Sequence, residues 1–379
     1  MDYGSLDTSR TQRTLTSGGR LLLALHLDGP LFIALGLIGT IGIAVVFSAS
    51  GRSLAVLEAQ TLRFLLALVA MIMLAQIPPR LIRAATPFAY VLGLILLVIV
   101  MLTGDIAMGA QRWLDLGVVR FQPSEIMKLA VPLAGAWFLN DRPLPPSLTS
   151  ILVLGVGILL PTLIIAEQPD LGTALLVAAS GAMVILLAGL LIRYVVGVIA
   201  LLIPAVYIAW TYLLHDYQRQ RVLTFLDPQT DPLGSGYHII QSQIAIGSGG
   251  VFGKGYFNGS QAQLEFLPER STDFIFAVIG EEWGLIGLVT ILLLYTFVIG
   301  RALYLAAASQ DTFARLGAGS LALTFCVYVF VNTGMVTGLM PVVGVPLPLI
   351  SYGGTSMVTL LAGFGILMSL CAKRKLVGH

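Results

Sequence analysis

Apolar residues fall along this chain in long unbroken runs, without the strict alternation of a half-buried strand. The runs lie near 31 to 50, 57 to 77, 85 to 103, 125 to 139, 148 to 166, 171 to 191, 195 to 214, 274 to 304, 314 to 340 and 352 to 372. Segments of about 20 apolar residues cross a hydrocarbon core of about 30 Å as helices, whereas barrel strands are shorter and alternate. The pattern predicts an all-α fold, a polytopic transmembrane helix bundle of about ten spans. The expected organisation is a tail at 1–29, one transmembrane domain over 30–372 and a short tail at 373–379.

The polar intervals are as informative as the runs. Two are too long to be simple connectors: one from about Gly104 to Ser124, the other from about His215 to Thr272, between spans 7 and 8. Long loops that are not disordered tend to carry function. Glycines crowd Gly234 to Gly259, but no GxxxxGK[ST] pattern occurs there, so a nucleotide P-loop is not supported. A tight hairpin, or an amphipathic loop lying on the bilayer, is the expected structure for that stretch. Met340 to Gly354, MPVVGVPLPLISYGG, cannot be a regular helix, because each proline removes a backbone donor. Non-helical backbone at membrane depth persists only where it is buried in protein or lines a wet cavity.

Composition agrees: of 379 residues 57% are hydrophobic and 11% charged, against roughly 25% charged in soluble domains. A formal charge of +2 gives no reason to expect nucleic acid, and two cysteines, Cys326 and Cys371, cannot build a disulfide framework. The distribution of charge says more. Lys and Arg accumulate in cytoplasmic loops. A cytoplasmic start places Arg80, Arg83, Arg142, Arg193, Arg301, Arg315 and Lys373 to Lys375 inside, and 14 of the 19 carboxylates on or near the outer face. Both termini are then cytoplasmic.

Charge is densest in Gln261 to Gly284, QAQLEFLPERSTDFIFAVIGEEWG, with Glu265, Glu269, Asp273, Glu281 and Glu282. Asp273 opens an apolar run. It is either a helix cap or a carboxylate whose apolar surroundings tune it towards general-base work. Glu281 and Glu282, two turns further on, are costly in an apolar run and are expected to face a polar interior. Glu125 and Lys128 share one face of a helix starting at Pro123, as a structural ion pair or as the wall of a cavity that receives an anion. Asp170 is expected to cap the sixth span. Arg219 and Arg221 stand just outside the membrane, where guanidinium would meet a phosphate ester or only lipid headgroups. Lys254 is a further candidate phosphate contact. Histidine metal sites and a Ser-His-Asp triad lack motifs; an outer carboxylate group could hold Mg²⁺ or Mn²⁺ through oxygen, and no other cofactor is indicated.

Several long segments resemble the SEDS family of bacterial cell-wall proteins, and its elongation branch more than its division branch. They are AQRWLDLG at 110–117, RFQPSE at 120–125, QPDLGT at 168–173, HDYQRQRV at 215–222, GYHIIQSQIAIGSGG at 236–250, FLPERSTDFIFAVIGEEWG at 266–284 and PLISYGG at 348–354. Ser271 and Trp283 depart from the residues that relatives often carry, His and Leu. The resemblance implies a peptidoglycan glycosyltransferase of the bacterial cytoplasmic membrane that polymerises lipid II into a growing glycan strand beside a class B penicillin-binding protein, with membrane lipids around it. It puts the family's essential aspartate at Asp273 and cavity residues at Glu125 and Lys128. For that reaction Asp273 is the expected base, while Arg112, Lys128, Arg219 and Arg221 would offset charge on a departing pyrophosphate, and Glu265 and Glu269 would act as loop-side electrostatics. A lipid flippase or transporter, and a non-catalytic scaffold, are the competing readings.

Overall fold

The computed structural model of the protein describes residues 25–107, 110–115, 120–190, 207–213, 235–264, 266–267 and 269–372, with isolated positions elsewhere between 194 and 224. Its helices are α1 (Gly29–Ala49), α2 (Leu54–Gln76), α3 (Pro79–Thr103), α4 (Pro123–Leu139), α5 (Leu148–Glu167), α6 (Leu171–Leu187), α7 (Ser235–Gly249), α8 (Ser260–Gln263), α9 (Ile275–Ala307), α10 (Thr312–Thr337) and α11 (Thr355–Cys371). Six of them, α1, α2, α3, α5, α9 and α10, are long and apolar enough to cross a membrane, and α6 and α11 are shorter apolar helices. Of the expected run at 195–214 only about half is described, and within it Ala209–Leu213 form a π-helical turn. Each of the other runs coincides with a helix.

Local chemistry sets the helix starts. Asp28, Ser147, Asp170 and Asp311 accept backbone N–H groups at the starts of α1, α5, α6 and α10, and proline stands in the first turn of α1, α3 and α4, where its missing donor is harmless. At the other end of α10, Gly338 takes the left-handed conformation that closes the helix.

Of the six long apolar helices the most enclosed is α10, packed against α9, α6, α11, α4 and α7. Elsewhere α2 lies on α11, α1 on α9, and α3 on α4. Small residues allow the approach: a Cβ at Gly365 would strike the backbone of Met71, and one at Gly42 would stand 2.5 Å from the Leu349 carbonyl. Leu62, Leu65, Leu66, Phe88 and Leu102 on α2 and α3 remain exposed, as a lipid-facing surface requires. At one end of the bundle charges pair across helices, Arg83 with Asp141 at 3.0 Å and Arg301 with Asp28 at 2.7 Å. The opposite end carries the elaborations.

Three of these correct or refine the sequence expectations. The fold is not wholly helical: β1 (Asp105–Ala107), β2 (Ala110–Asp115) and β3 (Arg120–Phe121) form an antiparallel sheet in the order β1-β2-β3, with Ile106 opposite Gln111 and Leu114 opposite Phe121. The glycine-rich stretch is neither a hairpin nor a free loop on the bilayer. Its first half is α7, which packs on α9 and α10. Its second half repairs a break. Gly284 has φ 66° and ψ −161° inside α9, freeing helix carbonyls and N–H groups. Lys254 N and Gly255 N donate to the Glu281 and Glu282 carbonyls at 2.9 and 3.0 Å, while Leu285 N and Ile286 N donate to those of Gly250 and Val251 at 2.9 and 3.2 Å. A broken helix survives in a membrane when neighbouring backbone satisfies the freed groups in this way.

Candidate active site

The elaborated end holds two polar constellations joined by one irregular segment. The first surrounds Asp273. Glu269, with φ 50°, makes a turn whose carbonyl accepts Thr272 N and Phe274 N at 3.1 and 3.2 Å, and its carboxylate accepts the Thr272 hydroxyl at 2.7 Å. The N-cap position of α9 falls on Phe274, so Asp273 lies one residue before it. Asp273 is partly buried, and a Cβ built on Gly344 would stand 3.5 Å from Asp273 Oδ2. The His238 ring stacks on Phe274 with centroids 5.7 Å apart.

The second constellation lies at the starts of α4 and α6. Lys128 Nζ stands 2.7 Å from Glu125 Oε1, and both residues are about 95% buried. Lys128 also lies 5.4 Å from the centre of the Tyr328 ring. Next to it Gln122 Nε2 donates to Asp170 Oδ2 at 3.0 Å, and Asp170 caps α6 by accepting Thr173 N at 3.2 Å. Arg112 approaches Asp170 at 3.8 Å and donates to the carbonyls of Gln168 and Pro169. Glu125 Oε2 and Ser124 Oγ are buried without hydrogen-bond partners, and the buried Tyr328 hydroxyl is directed at Lys128, so polar capacity is left over around a buried cation. Below Lys128 a groove between α4, α10 and α11 is lined by Leu129, Leu321, Phe325, Leu360, Phe364 and Leu367. Its volume is about 20 Å³, room for one water-sized group, and Glu125 already pairs with the cation at its head.

The Met340–Gly354 segment bridges the two. Its irregular backbone is held by side chains and by the Asp273 turn. Tyr352 N donates to the Ser271 carbonyl at 2.7 Å and Ser351 Oγ to that of Thr272 at 2.5 Å; Tyr295 OH donates to Pro348 O at 2.6 Å, and Gln60 Nε2 to Ser351 O at 3.2 Å. On its other side a Cβ at Gly172 would collide with the Val343 carbonyl. Val343 to Val345 therefore run from the Asp170 constellation to Asp273.

The remaining candidates separate. Arg219 donates to the Thr211 carbonyl at 3.1 Å, and Arg221 and Glu265 lie outside the described residues. Lys254 is engaged in the protein: its Nζ contacts Glu281 Oε1 at 2.7 Å. Glu281 also accepts Ser260 Oγ, Gln261 N and Ala262 N at 3.0, 2.9 and 3.3 Å, tying α8 to α9. Glu282 accepts Ser48 Oγ at 2.5 Å and fastens α1. The polar interior expected for these two glutamates is thus a set of internal ties. Tyr256, in the same loop, donates to the Ala44 carbonyl at 2.6 Å; burial, with Glu282 nearby, raises its phenol pKa. No group of three carboxylate, histidine or cysteine residues able to hold a metal ion occurs among the described residues. Asn332, which bonds to the Asp273 turn, is not among the sequence candidates; a lone carboxamide in an apolar run was the available clue.

This arrangement has counterparts. Residues 22–376 match the family model of the FtsW, RodA and SpoVE cell cycle proteins. The chain is 54% identical to the peptidoglycan glycosyltransferase MrdB of Escherichia coli K12 over 93% of its own length and 95% of that protein. It is 37% identical to a probable peptidoglycan glycosyltransferase FtsW of Geobacter metallireducens, covering 74% of this chain and 75% of the relative. Among solved structures it resembles, with TM-score 0.81 and 34% identity, a chain from work on the coordination of polymerization and crosslinking by a peptidoglycan synthase complex, over 92% of this chain and 98% of the other. It likewise resembles the rod shape determining protein RodA of Thermus thermophilus, with TM-score 0.70 and 30% identity over 92% and 97% of the two chains. The chain belongs to the FtsW/RodA/SpoVE family of cell cycle proteins.

Proposed function

We propose that this protein is a peptidoglycan glycosyltransferase that polymerises lipid II into β-1,4-linked glycan and releases undecaprenyl pyrophosphate. Identity of 54% to MrdB over nearly the whole of both chains supports the activity. The observation that carries the mechanism is the joint at Asp273, where a partly buried carboxylate lies against Gly344 and one short segment leads to the buried Lys128 and Glu125.

Forming a β linkage from an α-linked glycosyl pyrophosphate inverts the anomeric carbon, so a single displacement with one base is enough. The acceptor 4-hydroxyl oxygen attacks that carbon, its proton passes to the Asp273 carboxylate, and the carbon–oxygen bond to the pyrophosphate breaks. Lys128, Arg112, Arg219 and Arg221 offset the charge that develops on the departing group. The isoprenoid tails leave through gaps between the helices. The constellations face the outer side of the cytoplasmic membrane with both termini inside, and a class B penicillin-binding protein crosslinks the product. The likeness to a chain of a peptidoglycan synthase complex supports such a partner.

The test is purified protein with lipid II, with and without Mg²⁺ or Mn²⁺, as wild type and as Asp273→Asn. The wild type is expected to make polymer without ATP, and the variant to lose at least about 100-fold, the usual weight of a general base. Near-normal glycan synthesis by a folded Asp273→Asn protein would remove Asp273 from the reaction. Lipid crossing the bilayer with no polymer formed would replace the enzyme with a transporter.

A further inference from the structure

Asn332 sits on α10 with no exposure to solvent. Its Nδ2 donates to two main-chain carbonyls at 2.8 Å each, that of Asp273 and that of Val345. One amide group therefore holds together the two strands of backbone that meet at the candidate base: the turn before α9, and the segment whose Gly344 lies against the Asp273 carboxylate. Two carbonyl acceptors facing one carboxamide fix its orientation, because the reverse placement would set oxygen against oxygen. Asn332 Oδ1 is left buried without a partner, so this side chain is kept although one of its polar atoms is unsatisfied. Aspartate there would offer acceptors to acceptors, and an apolar residue would strand both carbonyls. Gly344 completes the joint. Its φ of 72° is a conformation that residues with a side chain rarely adopt, and a Cβ there would come into van der Waals contact with the Asp273 carboxylate.

We infer that Asn332 is a positioning residue for Asp273: it fixes where the carboxylate stands relative to the Gly344 segment, and so sets the rate of glycosyl transfer without contacting substrate. This rests on the proposed role of Asp273 as base. A main-chain shift of about 1 Å at a reacting group can lower a rate about 100-fold while leaving ground-state binding intact.

The experiment measures steady-state polymerisation of lipid II, its pH profile and thermal unfolding for the full chain as wild type, Asp273→Asn, Asn332→Asp and Gly344→Ala. Asn332→Asp and Gly344→Ala are each expected to lower kcat about 100-fold, with KM for lipid II within about threefold, and to displace the acid limb of the kcat/KM profile. A folded Asn332→Asp protein with wild-type kcat and profile, beside an inactive Asp273→Asn, would overturn the positioning role and leave the base in place. An elevated KM at unchanged kcat would overturn it equally. Activity in Asp273→Asn would remove the base itself, and this inference with it. If Asn332→Asp does not fold, Gly344→Ala decides: reduced kcat at unchanged KM supports the joint, and wild-type kcat refutes it.

Discussion

Glu125 and Lys128 form an ion pair that is almost fully buried, and at that depth the desolvation of two charges offsets much of their attraction. A pair kept only for stability could be exchanged for apolar residues, whereas one kept for an anionic ligand could not. Lys128→Met alone strands a buried carboxylate and should destabilise the protein by about 3 kcal/mol. Glu125→Leu combined with Lys128→Leu should recover most of that loss in thermal melts while polymerisation of lipid II stays at background. Recovery of both would make the pair purely structural. Lys254 shows how residue type misleads. A lysine in a glycine-rich loop resembles an anion contact, but its partner is Glu281, the carboxylate that a membrane helix most needs to neutralise.

Among the elements, α9 carries the most information, because Gly284 breaks it and the Gly250–Gly255 backbone completes it. Both sides of that junction require glycine. At Gly284 the positive φ excludes other residues at low energy, and a Cβ would lie 2.6 Å from the Val251 carbonyl. Gly284→Ala should therefore destabilise the protein by about 3 kcal/mol, read as a lowered unfolding temperature in detergent. The apolar run from 274 to 304 resumes directly after Glu281 and Glu282, so its length announces one helix through this point. The break is visible only where α7 and its following turn arrive to bond with it.

Across the whole molecule, the Met340–Gly354 segment connects constellations drawn from α4, α6, α9 and α10. It does so at close range on both sides, at Gly172 and at Asp273. Gly172→Ala would push on the Val343 carbonyl, and the adjoining Gly344 would move against Asp273. Turnover should fall about tenfold or more while the chain still folds, since overpacking typically costs about 1–3 kcal/mol. Polymerisation and thermal unfolding measured together check this; unchanged turnover would mean that the two constellations are not mechanically linked.

The sequence by itself determined the helical membrane class, the cap at Asp170 and the irregularity of Met340–Gly354, and it is the source of the proposal for Asp273. Each of these is local: run length, a capping side chain, the missing donors of proline, or a long motif. The partnership of Asn332 with Asp273 and Val345, the engagement of Lys254 by Glu281, the sheet at 105–121 and the repair of α9 were decided by tertiary structure. Asn332 lies 59 residues from Asp273 along the chain, and Glu282 lies 234 from Ser48. Such pairs follow from which helices stack, and in a membrane, where nearly every helix is apolar on most of its surface, hydrophobic pattern does not say which face meets which neighbour. Close glycine contacts and buried polar ties make that choice, and they are visible only once the chain is folded.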